Sequence, residues 1–370
     1  MAWIVILLGA GLAVLFTTPS SQAEVRIGLA APLTGTLAWA GGETREGAEI
    51  AVDDLNQNGG VLGERIDLIK VDDYCDGEQA VAAANKLVAE RVVMVFGHQC
   101  SGAAIPASKV YAQAGILLIS TFATNPKLTE QGFPNVFRVV GRDDVQGKIA
   151  AELLATRWAE EPIAILHDGE AYGKGLAEET KKGLNQRGVT EALFDQIIPG
   201  RSDYFDVIER MRAAGVTVLY YGGYEPEAAL ITRQARSAGY DLQLVSGDGL
   251  ANEDFGLIAG PAADGAMLTT VPAPGANPGA AALGERLDRP DSNGAYTAYA
   301  AVQAWAQAVD QAGTFETRAV ADALRSREFD TVLGRIGFDA KGDVTGYDTF
   351  VWYQWQGGSY APIEPAKGSD

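Results

Sequence analysis

The feature that most constrains this chain is a regular alternation of strand-length and helix-length hydrophobic patterns. Short β-rich runs occur at VRIGLAAPL, RIDLIKV, RVVMVFG, GILLIST, PIAILHD, VTVLYYGG, LQLVSG and GAMLTTV. Helical stretches separate them, among them TREGAEIAVDDLNQNGG, GEQAVAAANKLVAER and QGKIAAELLATRWAEE, the first closed by the stop signal Gly59-Gly60. Strand–helix alternation at this spacing predicts an α/β fold with parallel sheets covered by helices on both faces. So many strands exceed what one compact sheet usually holds, and 370 residues suffice for two ordinary domains. Two lobes are the economical arrangement.

An internal echo supports two lobes. RVVMVFG, GHQCSGAAIPASKVYAQAG and ILLIST form a strand–helix–strand unit, and VTVLYY, GGYEPEAALITRQARSAG and YDLQLVSGD form another. Each has a glycine where the first strand ends, a polar or aromatic group shortly after it, and an Ala-Gly helix stop. Each ends in a strand that delivers polar groups, Thr121 and Thr124 in one and Asp248 in the other. Ligands of open α/β sheets sit beyond the carboxyl ends of the strands. Two such lobes facing each other would enclose a cleft.

Residues 1–23 carry no charged side chain and end in the small-x-small pattern Ser21-Gln22-Ala23. They read as a secretory signal peptide cleaved after Ala23; the apolar stretch from Ala2 to Phe16 is short for a membrane span of about 20 residues. The formal net charge of −19 disfavours nucleic acid and anionic membrane surfaces as partners. Its even spread along the chain reads as solubility. In an exported protein the two cysteines, Cys75 and Cys100, are expected to pair, each following a strand whose neighbour would bring the sulfurs together.

Catalytic signatures are missing. The two histidines, His98 and His167, have no metal-ligand partner at i+4, and there is no CxxC pair, GxSxG elbow or phosphate-binding GxxxxGK[ST] loop. GKGLAEE lacks the hydroxyl after Lys174. A nucleophilic Ser101 would need a base, and His98 lies on the same turn, badly placed to serve it. No enzyme activity, cofactor or metal is expected. Binding fits better: Ser101 opens a helix, where free N–H groups and the positive end of the dipole receive a carboxylate, although it also reads as a simple N-cap. Thr124 adds a hydroxyl after the next strand. Tyr224 and Asp248 follow strands of the other lobe, and an acidic group there is what an ammonium needs. Together these describe an α-amino acid clamp.

At these residues the chain resembles the periplasmic branched-chain amino acid-binding proteins of the leucine/isoleucine/valine type, substrate-receiving components of ABC importers. VRIGLAAPLTG, GAEIAVDDLNQNGGVLG, VDDYCDGEQAVAAANKLV, GHQCSGAAIPAS, AYGKGLAEE, LYYGGYEPE and GDGLAN carry the likeness. The resemblance implies the type I periplasmic binding protein fold, two doubly wound lobes with the ligand cleft between them. Lobe one would comprise 24–142 and 272–351, and lobe two 143–271 and 352–370. It implies a Cys75–Cys100 disulfide. It places Ser101 and Thr124 on the ligand carboxylate, Thr124 also on the ammonium, Phe122 at the site through its backbone, and Gln99 and Cys100 in the lining loop. Tyr172 and Tyr224 would cover the ligand, Asp248 would take its ammonium, and Tyr296 and Trp39 would be walls. The resemblance also implies a monomer working with a membrane permease in the periplasm. Two departures stand out. Those relatives carry Glu where this chain has Asp248, and a small residue where it has Phe122, with Trp39 preceding Ala40 where an aromatic is usual; the apolar wall is expected to be rebuilt. A binder of an amide or urea in the same fold, or a ligand sensor, is the alternative.

Overall fold

The computed structural model describes residues 24–273 and 278–364; the expected signal peptide lies outside the described residues. The first strand, β1 (Glu24–Ala31), has its last five residues buried and is paired in parallel on both sides. Its partners are β2 (Arg65–Asp72) and β3 (Met94–Gly97), followed outward by β4 (Leu117–Ser120) and β5 (Val136–Arg138). The sheet order is β2-β1-β3-β4-β5, all parallel. The connecting helices are α1 (Ala38–Gln57), α2 (Gly77–Ala89), α3 (Ser101–Ala114) and the short α4 (Lys127–Glu130). Strand and helix alternation predicts this half correctly except for β5, whose three residues are too few to show a period.

A second sheet starts after a first crossing at residues 139–142, where α5 (Asp143–Arg157) leads into β6 (Ile163–His167) and α6 (Ala171–Gln186). It continues through β7 (Leu193–Gln196), α7 (Phe205–Ala213), β8 (Val218–Gly222), α8 (Glu225–Ser237), β9 (Gln243–Ser246), α9 (Glu253–Ala259) and β10 (Met267–Thr270). The chain then returns to the first lobe with α10 (Pro278–Gly284), α11 (Asn293–Ala312), α12 (Thr317–Ser326) and a small antiparallel sheet of β11 (Phe329–Thr331), β12 (Gly334–Phe338) and β13 (Val344–Thr345). Finally β14 (Val351–Gln356) and β15 (Ser359–Pro362) add antiparallel strands to the second sheet, whose order is β15-β14-β10-β9-β8-β6-β7.

Each sheet is packed on both faces. One face of the first meets α1, α11 and α12 through residues such as Ile27, Phe96, Trp305 and Leu324, and the other meets α2 and α3 through Leu87, Val95 and Tyr111. The second sheet divides its core in the same way, with Leu219 and Phe255 on one side and Ile165 and Leu176 on the other. The α1–α11 contact is unusually close because small residues face each other. A Cβ at Gly47 would lie 2.1 Å from the Ala295 carbonyl oxygen, so any side chain there would push the helices apart.

Candidate functional site

The carboxyl end of β3 is built before any ligand is considered. Gly97 has φ +106°, and a Cβ on it would sit 1.9 Å from the Ala30 carbonyl oxygen, so the turn out of the strand requires glycine. Beyond it, His98 is fully buried and held between Asp73 (Nδ1 to Oδ2, 2.6 Å) and the Tyr111 hydroxyl (3.1 Å). His98 therefore anchors the loop. The Gln99 amide donates to the Ala40 carbonyl (2.8 Å) and to the Thr44 hydroxyl, tying the same loop to α1.

Cys100 is bonded to Cys75, with their Cα atoms 5.4 Å apart. The route differs from the expected one. β2 and β3 are not neighbours but flank β1, so the disulfide bridges two exit loops across the end of β1. Cys100 is also the N-cap residue of α3, and Ser101 is the first residue inside the helix. Ser101 is thus not an N-cap: its Oγ accepts from the Asn125 backbone N–H at 3.2 Å and lies 1% exposed in the cleft loops.

The neighbouring loop, residues 121–125, hangs on one buried cation. Arg138 is wholly buried, donates to the Ala123 and Asn125 carbonyls (2.9 and 3.0 Å), and pairs with Asp343 at 2.7 Å. Burial lowers its pKa, and Asp343 works against that. These bonds fix Thr124, which is 2% exposed, and half-buried Phe122.

The opposite wall comes from the second sheet. Asp248 opens a turn just beyond β9, 5% exposed. Its Oδ1 accepts from Gln146 Nε2 and from the Tyr172 hydroxyl, each at 2.9 Å, and Tyr172 accepts in turn from the Gly249 N–H. The Tyr172 and Tyr224 rings pack with centroids 5.1 Å apart, inclined by 39°. Burial raises the Asp248 pKa, and the bonds from Gln146 and Tyr172 oppose the rise.

Asp143 was not among the residues expected from the sequence. It begins α5 at the crossing between lobes, fully buried, three residues before Gln146 on the same helix face. Burial pushes its pKa well up, and the nearby charge of Asp248 pushes further, while the Thr124 hydroxyl and Arg138 draw it back. Both Asp143 carboxyl oxygens, Thr124 Oγ1 and Gln146 Oε1 lie buried without an aligned hydrogen-bond partner among the described residues. The sequence signal was the buried helical spacing Asp143, Gln146, Gly147, Ala150, which places one of two adjacent aspartates inward.

The lobes meet on both flanks. Asn125 Nδ2 donates to the Ala171 carbonyl at 2.6 Å, and Trp39 Nε1 donates to Glu225 Oε1 at 2.9 Å. Ser101, Thr124, Gln99 and Cys100 thus share one wall with Trp39 and Phe122 at its edge, and Tyr172, Tyr224 and Asp248 form the other. Tyr296 does not join them. Its buried hydroxyl needs an acceptor and finds the Pro290 carbonyl at 3.0 Å, and its ring packs with Ala280, Leu283 and Leu287 instead. It lines a separate cavity of about 350 Å³ with Tyr353 and Tyr360. Among the described residues no group of three His, Cys, Asp or Glu side chains is arranged to hold a metal ion, and no helix is long and apolar enough to cross a membrane.

Two α/β lobes closing on paired polar walls define a binding protein, and residues 24–359 match the periplasmic binding protein family model; the chain belongs to that family of non-enzymatic binders. Its relatives are specific. A Leu/Ile/Val-binding protein homolog of Brucella suis is 42% identical over 93% of this chain and 95% of its own length. A leucine-, isoleucine-, valine-, threonine- and alanine-binding protein of Pseudomonas aeruginosa is 38% identical over 92% of each. Among solved structures, a leucine-binding protein of Thermotoga maritima superposes with a TM-score of 0.83 at 25% identity, covering 92% of this chain and 98% of that one. A branched-chain amino acid transporter substrate-binding protein of Streptococcus pneumoniae, in complex with isoleucine, gives 0.81 at 25% identity, covering 92% and 99%.

Proposed function

We propose that the protein captures a branched-chain or similarly hydrophobic L-amino acid between its lobes in the periplasm and passes it to the membrane permease of an ABC importer. The names of its relatives support the ligand class, and the family supports the compartment, with residues 1–23 as the signal that sends it there. The observation that carries the reading is the opposition of hydroxyl and helix-terminal donors on one wall to carboxylates on the other. A zwitterion is costly to bury unless each charge is paired. Ser101 and Thr124 with the first turn of α3 would take the carboxylate. Asp248 would take the ammonium, with Asp143 facing it from below. Tyr172 and Tyr224 would close over the side chain as 24–142 plus 272–351 and 143–271 plus 352–370 rotate together about their crossings. The working unit is a monomer.

Calorimetric titration of the mature protein, stripped of bound ligand by unfolding and refolding, tests the reading. The panel holds leucine, isoleucine, valine, phenylalanine, alanine, the corresponding amides and urea. Tight binding of an aliphatic amino acid with weak binding of its amide is expected. Heat from an amide or urea alone would keep the fold and overturn the ligand class.

A further inference from the structure

Helix α6 carries three glycines, and two are explained by packing within its own lobe. A Cβ on Gly173 would lie 2.4 Å from Asp168 Oδ1 and from the Gly222 carbonyl oxygen, and one on Gly183 would lie 2.8 Å from the Ala151 Cβ. Gly175 is different. Its backbone is not in the left-handed region that calls for glycine, and inside a helix glycine is less favourable than alanine. Beyond its own helix, the atoms that a Cβ there would meet within 4 Å among the described residues both belong to Asn125 of the other lobe, the nearer being Nδ2 at 2.5 Å. Asn125 reaches this notch from a rigid mount. It is 5% exposed, its N–H donates to Ser101 Oγ at 3.2 Å, its carbonyl accepts from Arg138 at 3.0 Å, and its Oδ1 accepts from the Lys127 N–H at 2.9 Å. Only Nδ2 leaves the lobe, donating at 2.6 Å to the carbonyl of Ala171, one turn before Gly175.

We propose that Asn125 and the notch over Gly175 form a closure latch, a pair of positioning residues that sets how long the ligand is held without touching it. The inference rests on the amino acid reading above. The latch exists only with the lobes together: with them apart, a Cβ on residue 175 stands in open space and the Asn125 amide turns to water. A contact made in one state alone shifts the balance between the two states by its full worth. Ser101, assigned above to the ligand carboxylate, is the side chain that receives the Asn125 N–H, so the loop that docks the ligand also aims the latch. Glycine stands at 175 against helix propensity because closure uses the space a side chain would fill.

Calorimetry and stopped-flow kinetics with leucine on the mature wild type, Gly175→Ala, Asn125→Ala and the double variant test this, alongside thermal denaturation of each ligand-free protein. Gly175→Ala is expected to weaken leucine roughly fivefold or more, because the displaced Asn125 amide loses its bond to Ala171. The loss should lie in faster dissociation, with association unchanged. The ligand-free Tm of the same variant should hold or rise by about a degree, since alanine favours the helix. In the Asn125→Ala background, adding Gly175→Ala should change affinity by less than about twofold, because nothing remains to collide with the new methyl group. Asn125→Ser, which keeps a hydroxyl for the Lys127 N–H, carries the cycle where Asn125→Ala does not fold. Unchanged leucine affinity in Gly175→Ala overturns the latch. An equal loss in both backgrounds, or a lowered ligand-free Tm, overturns it too and makes Gly175 a packing residue of its own lobe. Wild type that binds no amino acid overturns the clamp, and the latch with it.

Discussion

The two walls of the cleft are built on opposite terms. On the first lobe every charged group near the site is spent on structure. Asp73 holds His98, Asp343 pairs with Arg138 and with Arg142 at 2.8 Å, and the disulfide staples the loop that presents Ser101. On the second lobe the carboxyl groups Asp143, Asp248, Asp168 and Glu225 are all buried, all raised by burial, and held by hydrogen bonds or a more distant charge rather than by a direct ion pair. On the proposed reading, the first wall, its charges paired, would dock the ligand, and the carboxyl groups opposite would be completed by it. On the same reading, Asp248 and Asp143 would share the ligand's one ammonium.

The contrast can be broken from the first-lobe side. Arg138→Ala removes the cation beneath residues 121–125 and strands part of a buried pair, a change that costs about 3–5 kcal/mol. Thermal denaturation of the ligand-free protein should show the loss, and an unshifted Tm would mean the loop is held by other contacts. Asp248→Ala attacks the other wall. Leucine affinity should fall by roughly thirtyfold or more, in line with about 2–5 kcal/mol for removing one partner of a buried charged pair, while Tm changes far less. Unchanged affinity would remove Asp248 from the clamp.

Cys75→Ser sharpens the first-lobe half. A cross-link spanning 25 residues contributes about 3.5 kcal/mol by the loop-entropy model, so denaturant midpoints should drop without a change in ligand class. The smallest effect concerns pH. Burial pushes Asp168 up to about 7, as it does Glu225, against about 4 for the unfolded chain. The folded ligand-free protein therefore holds more protons than the unfolded one between roughly pH 4 and 7, so stability is greatest below that window and is lost as pH rises through it. Tm should fall by a few degrees from pH 5 to pH 8 without ligand. Leucine affinity should move the other way, because the ammonium needs ionised Asp248 or Asp143. A flat Tm profile would mean these carboxylates are solvated.

Hydrophobic period made most of the two parallel sheets legible, because β1, β3, β4, β6 and β8 are aliphatic runs buried along their inner ends. It missed β7, an edge strand of half-buried residues, and β14 and β15, whose antiparallel pairing places aromatic and polar residues together. The candidate site was legible as a place in the fold where a residue follows a strand or starts a helix: the structure brings Ser101, Thr124 and Asp248 to the facing walls as expected, and their part in binding stays a proposal. Asp143 and Glu225 were not. Each stands in an acidic helix first turn, a place where carboxylates ordinarily meet solvent, and only the packing of the opposite lobe turns them inward. Tyr296 failed for the reverse reason: an aromatic near the right motif found a carbonyl elsewhere.

The pairing of Arg138 with Asp343 also has a consequence in time. The loop carrying Thr124 depends on a carboxylate encoded some two hundred residues later, and the face of β1 is covered by α11, which is made nearly as late. The first lobe to be synthesised is therefore the last to be finished. Until the segments carrying Asp343 and α11 are made, the N-terminal half lacks the carboxylate and the helix that complete it.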